Sequence, residues 1–291
     1  MSTGIIIILK IFLSLIPNTR LTRCSKSVFT LIPPLGKRYY SINVPLFTYP
    51  HKDHCMQPTT ELIVALDLPN ARAIDPLLDK LPPAIRWFKV GLELFTAEGP
   101  ACLHALQQRH LKIFLDLKLH DIPNTVAHAV SAAARHGVGM LTVHASGGSG
   151  MLKAAVEAAA QSGSHAPKII AVTTLTSLNQ ADLDQQGITR PLSHHTLAMG
   201  SIAIAAGVNG LVCSPQEAAA FRHQLGPAPI LVTPGIRPAG SAVGDQKRTG
   251  TPAQAVRDGS NFLVVGRPIV QATDPAAAAG SILNEMQISS G

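Results

Sequence analysis

A chain of 291 residues is long enough for one large α/β domain or two small ones, and with 46% hydrophobic and only 14% charged residues it can bury a large core. The net charge of +7 would suit a nucleic-acid or membrane binder, but residues 1–55 hold seven Lys/Arg against one acid, Asp53, while the other 236 residues hold 17 bases and 16 acids. The body is therefore near neutral, which argues against nucleic-acid binding by it.

The chain opens on "GIIIILKIFLSLIP". This apolar run is interrupted by Lys10 and is shorter than the ~20 residues that span a bilayer, so no stable membrane association is expected. Onward to Tyr49 the segment is basic, rich in Ser and Thr and free of acids, like an organelle transit peptide. A second reading stands beside it. Met56 opens "MQPTTELIVALDLP", a natural start for a soluble enzyme, which would make residues 1–55 a translated upstream stretch with no fold. Residues 1–58 are accordingly expected to be an unfolded or targeting-like extension and residues 59–291 the folded body. The body is expected in the cytoplasm unless residues 1–55 direct it to an organelle. The four cysteines, Cys24, Cys55, Cys102 and Cys213, include no C-x-x-C pair. Free, buried thiols fit that spacing better than a zinc site or a disulfide framework.

From Glu61 onward, short apolar runs alternate with amphipathic stretches. "LIVALD" (62–67) is followed by a helix-like stretch at 70–80, "WFKVG" (87–91) by 98–109, and "KIFLDLK" (112–118) by 124–136. "MLTVHA" (140–145) leads into 150–161 and "KIIAVTTL" (168–175) into 191–206. "GLVCS" (210–214) precedes 215–224, "PILVTPG" (229–235) precedes 252–258, and "FLVVGR" (262–267) precedes 274–287. Ser214-Pro215 and Thr251-Pro252 each set an N-cap residue before a proline at the first helical position. Strict alternation predicts a parallel sheet, and continuous apolar strands predict burial on both faces. Eight such units are the size of a (β/α)₈ TIM barrel in a single domain, with a doubly wound open sheet as the fallback.

A barrel gathers its functional side chains at the C-terminal ends of its strands. Polar residues stand at most of those ends here: Asp67, Lys89, Asp116 with Lys118, His144, Thr176 with Ser177, and Gly266-Arg267. In "FLDLKLHDIPNT", Phe114, Asp116 and Lys118 share one face and Leu115 and Leu117 the other. With the leucines on the helices, Asp116 and Lys118 project into the barrel mouth. Opposite charges there favour each other's ionised forms, which suits a proton donor better than a Schiff-base nucleophile. Gly266-Arg267 is a phosphate cue, since barrels often bind phosphate after strands seven and eight. Arg237, Gln246, Lys247 and Arg248, set among glycines after strand seven, read as a basic, mobile loop that closes over the phosphate.

These residues resemble a known family. "FLDLKLHDIPNT" is similar to the D-x-K-x-x-D-I-P-x-T signature of the orotidine 5′-phosphate decarboxylases, and "VALD", "FKVGLELF", "VHASGG", "LTS", "LVTPGIRPAGSAVGDQKR" and "GRP" follow in that family's order. The resemblance covers the body from Glu61 to Gln287 and none of the extension. It implies decarboxylation of orotidine monophosphate to UMP, the last step of de novo pyrimidine synthesis, by a (β/α)₈ homodimer with no metal and no cofactor. It implies Lys118 as the proton donor to C6 of the pyrimidine and Asp116 beside the scissile carboxylate. Asp121 would be contributed to the neighbouring subunit's site, completing a charge array with Lys89. Asp67 and Lys89 would hold the ribose, Thr176 and Ser177 the pyrimidine, Gln246 both base and phosphate, and Arg237, Gly266 and Arg267 the phosphate. The closest rival is a Mg²⁺-dependent sugar-phosphate decarboxylase or aldolase of the same barrel superfamily. Such enzymes resemble the same strand but carry a glutamate where this chain has Lys89, and a protonated lysine cannot ligate Mg²⁺. A non-catalytic phosphate-binding barrel is a further reading, and it leaves the charged set without a use.

Overall fold

The computed structural model describes residues 20–25, 28–32, 40–43, 60–238 and 248–288. The chain divides into two units, Met1–Met56 and Gln57–Gly291. In the first, Val28–Ile32 pairs antiparallel with both Arg20–Ser25 and Tyr40–Asn43. The sequence reading placed no element there, although "VFTLI" has the β-branched and aromatic composition of a strand. The opening apolar run lies outside the described residues.

The second unit is a closed, all-parallel barrel of eight strands. They are β1 (Glu61–Ala65), β2 (Trp87–Gly91), β3 (Lys112–Leu119), β4 (Met140–His144), β5 (Lys168–Val172), β6 (Gly210–Val212), β7 (Ile230–Thr233) and β8 (Phe262–Val265). Each strand pairs with the next, and β8 closes on β1 from Phe262↔Glu61 to Val265↔Val64. All eight predicted strands are present. Several stop earlier than predicted, β5 at Val172 and β6 at Val212, because their last residues leave the ladder to form the mouth.

The helices are α1 (Ile74–Leu78), α2 (Leu92–Glu98), α3 (His104–Gln108), α4 (Pro123–Ala134), α5 (Gly148–Gln161), α6 (Gln180–Gln185), α7 (Leu192–Ala205), α8 (Pro215–Leu225), α9 (Pro252–Arg257), α10 (Arg267–Val270) and α11 (Pro275–Ile288). The proline-marked starts of α8 and α9 are where the sequence placed them. The stretch expected as one helix over 98–109 differs. Helix begins directly after β2 at Leu92, stops at Gly99 (φ +59°), and resumes as α3 after a 3₁₀ turn that contains Pro100. The short α6 was not anticipated. It is nucleated by a capping box in which Asn179 accepts the Asp182 N–H and Asp182 accepts the Asn179 N–H.

Strand alternation divides the core into two layers. Ile63, Ala65, Trp87, Phe114, Met140, Ile170, Val232, Phe262 and Val264 fill the barrel interior. Leu62, Val64, Leu66, Phe88, Leu115, Leu141 and their counterparts face the helices. Each fully buried Val, Ile or Leu contributes about 1.5–3 kcal/mol relative to exposure, so a shift of one residue in register would invert a whole strand's contribution. At β6 the barrel wall tolerates no side chain: a Cβ on Gly210 would lie 2.2 Å from the carbonyl oxygen of Ile230 on β7. Cys102 and Cys213 are free and buried, and burial pushes their thiols up to about 11 and about 12, which makes them inert packing groups.

Candidate active site

The charges gather at the end of β3. Its ladder with β4 pairs Phe114 with Met140 and Leu115 with Leu141, then slips so that the next pair is Leu119 with Val143. Asp116, Leu117 and Lys118 therefore stand against Thr142 alone, a bulge that re-aims the strand end. Lys118 adopts φ +50°, a left-handed conformation that costs a residue bearing a Cβ roughly 1–2 kcal/mol. The alternation read from the sequence thus holds through Asp116. Lys118 reaches the same cavity through the bulge rather than through regular pleating. Leu115 and Leu117 pack in the outer layer, as predicted.

Lys118 Nζ lies 2.9 Å from Asp116 Oδ2, and Lys89 Nζ lies 3.8 Å from that same oxygen and 3.0 Å from Asp67 Oδ1. The result is an alternating row, Asp67–Lys89–Asp116–Lys118, drawn from three consecutive strands. The side chains of Lys89 and Asp116 are 12% and 13% exposed, those of Lys118 and Asp67 31% and 48%. The middle of the row is fixed and its two ends are reachable by a ligand. Thr142 on β4 completes it from beneath, donating to Asp116 Oδ1 at 3.0 Å and accepting the Lys118 N–H at 2.8 Å.

The row forms one wall of a cavity that is also lined by Pro234, Gly235, Arg237, Gly266 and Arg267. Two guanidiniums and a glycine backbone make this part of the lining suited to an anion. At Gly266 the end of β8 comes against the end of β1: an added Cβ would stand 3.0 Å from Asp67 Oδ2 and 3.3 Å from the Ala65 Cβ. A side chain there would have to push the Asp67 carboxylate aside by a few tenths of an ångström.

Of the predicted site residues, Asp67, Lys89, Asp116, Lys118, Thr176, Arg237, Gly266 and Arg267 line this one cavity. Ser177 is exposed and does not line it, because the chain turns outward after Thr176. Asp121 is exposed, and its Oδ1 accepts the neighbouring Ile122 N–H at 2.6 Å; among the described residues it makes no ion pair with Lys118. Gln246 lies outside the described residues. His144 stacks on His120 with ring centroids 5.4 Å apart and meets Ser146 Oγ at 2.5 Å. Burial, together with His120 and Lys118 nearby, lowers its pKa and favours the neutral ring.

Arg248 departs from the reading that placed it in a mobile loop. Its residue is only 7% exposed. It donates to the carbonyl oxygens of Thr174 and Leu175 at 3.0 Å each and is ion-paired with the buried Glu217, whose other oxygen accepts the Ser214 N–H at 2.8 Å. Arg248 therefore pins the end of β5, which carries Thr176 to the cavity, against the start of α8. A charged residue in a glycine-rich, polar stretch carries no sequence signal for such burial. Removing one member of a buried pair strands the other. Glu217→Ala is thus expected to lower stability by about 3–5 kcal/mol, read as a lower midpoint in denaturant unfolding.

A closed (β/α)₈ barrel whose mouth brings a row of acid–base groups together with arginines and glycines suited to an anion has the build of an enzyme for small phosphate-bearing substrates. The chain matches the model of the "Orotidine 5'-phosphate decarboxylase / HUMPS family" over residues 60–282, and it belongs to that family. It is 49% identical over 227 residues to an orotidine 5'-phosphate decarboxylase of Anaeromyxobacter sp. (strain K), an alignment covering 78% of this chain and 98% of that one. It is 51% identical over 231 residues to the enzyme of the same name from Sodalis glossinidius, covering 79% and 92%. A crystal structure of orotidine 5'-phosphate decarboxylase from Lactobacillus acidophilus superposes with a TM-score of 0.69 at 39% identity, covering 78% of this chain and 99% of that one.

Proposed function

We propose that this chain decarboxylates orotidine 5′-phosphate to UMP and CO₂, the last step of de novo pyrimidine synthesis, with Lys118 as the proton donor and without metal or organic cofactor. The observation that carries the reading is the Lys118 ammonium held 2.9 Å from Asp116 at the exposed end of the charged row, in a cavity that Arg237, Gly266 and Arg267 also line.

The chemistry follows from that placement. The bond between C6 and the carboxylate breaks, CO₂ leaves, and the electron pair stays on C6 with no adjacent group to delocalise it. A preorganised ammonium at that carbon stabilises the developing charge without solvent reorganisation. Lys118 Nζ then transfers its proton to C6, giving UMP, and is reprotonated from solvent. Asp116 stands beside the scissile carboxylate, Asp67 and Lys89 take the ribose hydroxyls, and Thr176 faces the base. Arg237, Gly266 and Arg267 hold the phosphate, whose binding energy is remote from the reacting carbon and available to orient it.

The family also includes sugar-phosphate enzymes, and the resemblance assigns those a Mg²⁺ site with a glutamate at the position of Lys89. Here an ammonium occupies that place, 3.0 Å from Asp67 and 3.8 Å from Asp116. Both carboxylates already have a cation, and the lysine offers no oxygen to a hard metal ion. This donor set does not fit Mg²⁺. Turnover of orotidine monophosphate by the purified chain is therefore expected to be unchanged by EDTA, measured as the fall in substrate absorbance. Activity abolished by EDTA and restored by Mg²⁺ would sink the reading.

Asp121 serves the neighbouring site of a homodimer in this reading. Its exposed position beside the protruding Ile122, which is 66% exposed, supports that role, as does the 54% exposure of Leu92. Free buried thiols at Cys102 and Cys213 suit a cytoplasmic location for the body.

A further inference from the structure

Thr142 belongs to no motif in the sequence and lines no part of the cavity. It is fully buried on β4, at the inward position between Met140 and His144. Its hydroxyl has one proton, and chemistry fixes where that proton goes. A backbone N–H can only donate, so the hydroxyl accepts from Lys118 N at 2.8 Å; the Asp116 carboxylate accepts the hydroxyl proton at 3.0 Å.

Both partners have need of it. The slip in the β3–β4 ladder takes the Lys118 N–H out of regular strand pairing, and an unpaired buried N–H is costly. Thr142 satisfies it in the left-handed conformation that Lys118 adopts. The same hydroxyl holds Asp116 by Oδ1, leaving Oδ2 turned to Lys118 Nζ at 2.9 Å and Lys89 Nζ at 3.8 Å. One side chain thus sets the backbone of the lysine and the rotamer of its carboxylate partner.

We infer that Thr142 is a positioning residue for proton donation, acting through Asp116 and the Lys118 backbone without touching substrate. The inference rests on the proposed decarboxylation. Thr142→Val keeps the shape and removes both hydrogen bonds. It is expected to lower kcat for CO₂ release from orotidine monophosphate about 10- to 100-fold, the usual consequence of losing a hydrogen bond to a charged group. UMP affinity is expected to stay within about threefold, since the phosphate and base ends are carried by other strands. Thr142→Ser, which restores the hydroxyl, is expected to recover kcat to within about fivefold of the parent. Thr142→Ser and Thr142→Ala differ only in the hydroxyl and repeat the test should the valine variant not fold. A valine or alanine variant with parental kcat would overturn the inference. So would a serine variant as slow as the valine, or a loss of UMP affinity equal to the loss of kcat, since either marks general structural support. A parent chain that released no CO₂ would overturn the proposed reaction itself, and the inference with it.

Discussion

Lys118→Ala is expected to lower kcat/KM for orotidine monophosphate by roughly 10⁴-fold or more. In the proposed reaction it removes both the electrostatic stabilisation of the carbanion and the acid that quenches it, effects worth about 10²–10³ and 10²–10⁴ respectively. UMP binding should survive within about tenfold, because the part of the lining suited to an anion is untouched. The variant should also fold. Alanine has a Cβ like lysine, so the left-handed strain at φ +50° is unchanged, and Thr142 still receives the backbone N–H. Asp116 loses its closest cation but keeps Lys89 at 3.8 Å and the Thr142 proton at 3.0 Å. Stopped or quenched assays of CO₂ release, beside titration with UMP, separate the two effects. Near-normal turnover would remove Lys118 from the mechanism and leave the charged row without its central role.

The second large effect is a gain. Asp121→Ala and Lys118→Ala chains are each expected to be inactive alone and to recover activity when mixed, unfolded and refolded together. In the proposed homodimer a mixed dimer would pair one site carrying both lesions with one site carrying neither, because there Lys118 would come from one subunit and Asp121 from the other. With half the dimers mixed, about a quarter of all sites should be intact, a direct consequence of two-fold symmetry. Activity near a quarter of the parent's, rising with the mixed fraction, is the expected measurement. Mixed dimers, demonstrated by differential tagging, that stay inactive would place Asp121 in its own subunit or outside the site. The exposed Asp121 carboxylate, bonded only locally through the Ile122 N–H among the described residues, is what makes the experiment worth doing.

Much of this was legible in the sequence because apolar alternation is a local signal. All eight strands, the split between leucines that face helices and charges that face the cavity, and eight of the eleven candidate site residues follow from runs of fewer than ten residues. What was hidden depends on partners distant in the chain. The bulge at Lys118 exists only relative to β4, whose Thr142 lies 24 residues away. "MLTVHA" gives no hint that its threonine carries two hydrogen bonds rather than merely fitting a buried strand. Arg248 looked solvated because nothing near it in sequence is apolar, yet its partners are Thr174, Leu175 and Glu217. Ser177 was grouped with Thr176 by adjacency, and one residue of turn separated them. Gln246, assigned to base and phosphate, lies outside the described residues.

The seam between β8 and β1 joins the last strand of the barrel to its first. The four charges of the row are encoded between β1 and the end of β3, whereas the arginines and glycines of the cavity come from the segments after β7 and β8. During synthesis from the N-terminus, the ribosome therefore delivers Lys118 long before the residues that complete the cavity around it. Pairing of such sequence-distant strands is the slow, entropically demanding part of folding. A truncated or stalled nascent chain thus carries the charged row without the rest of its cavity, which is complete only when Gly266 has come to rest against Asp67.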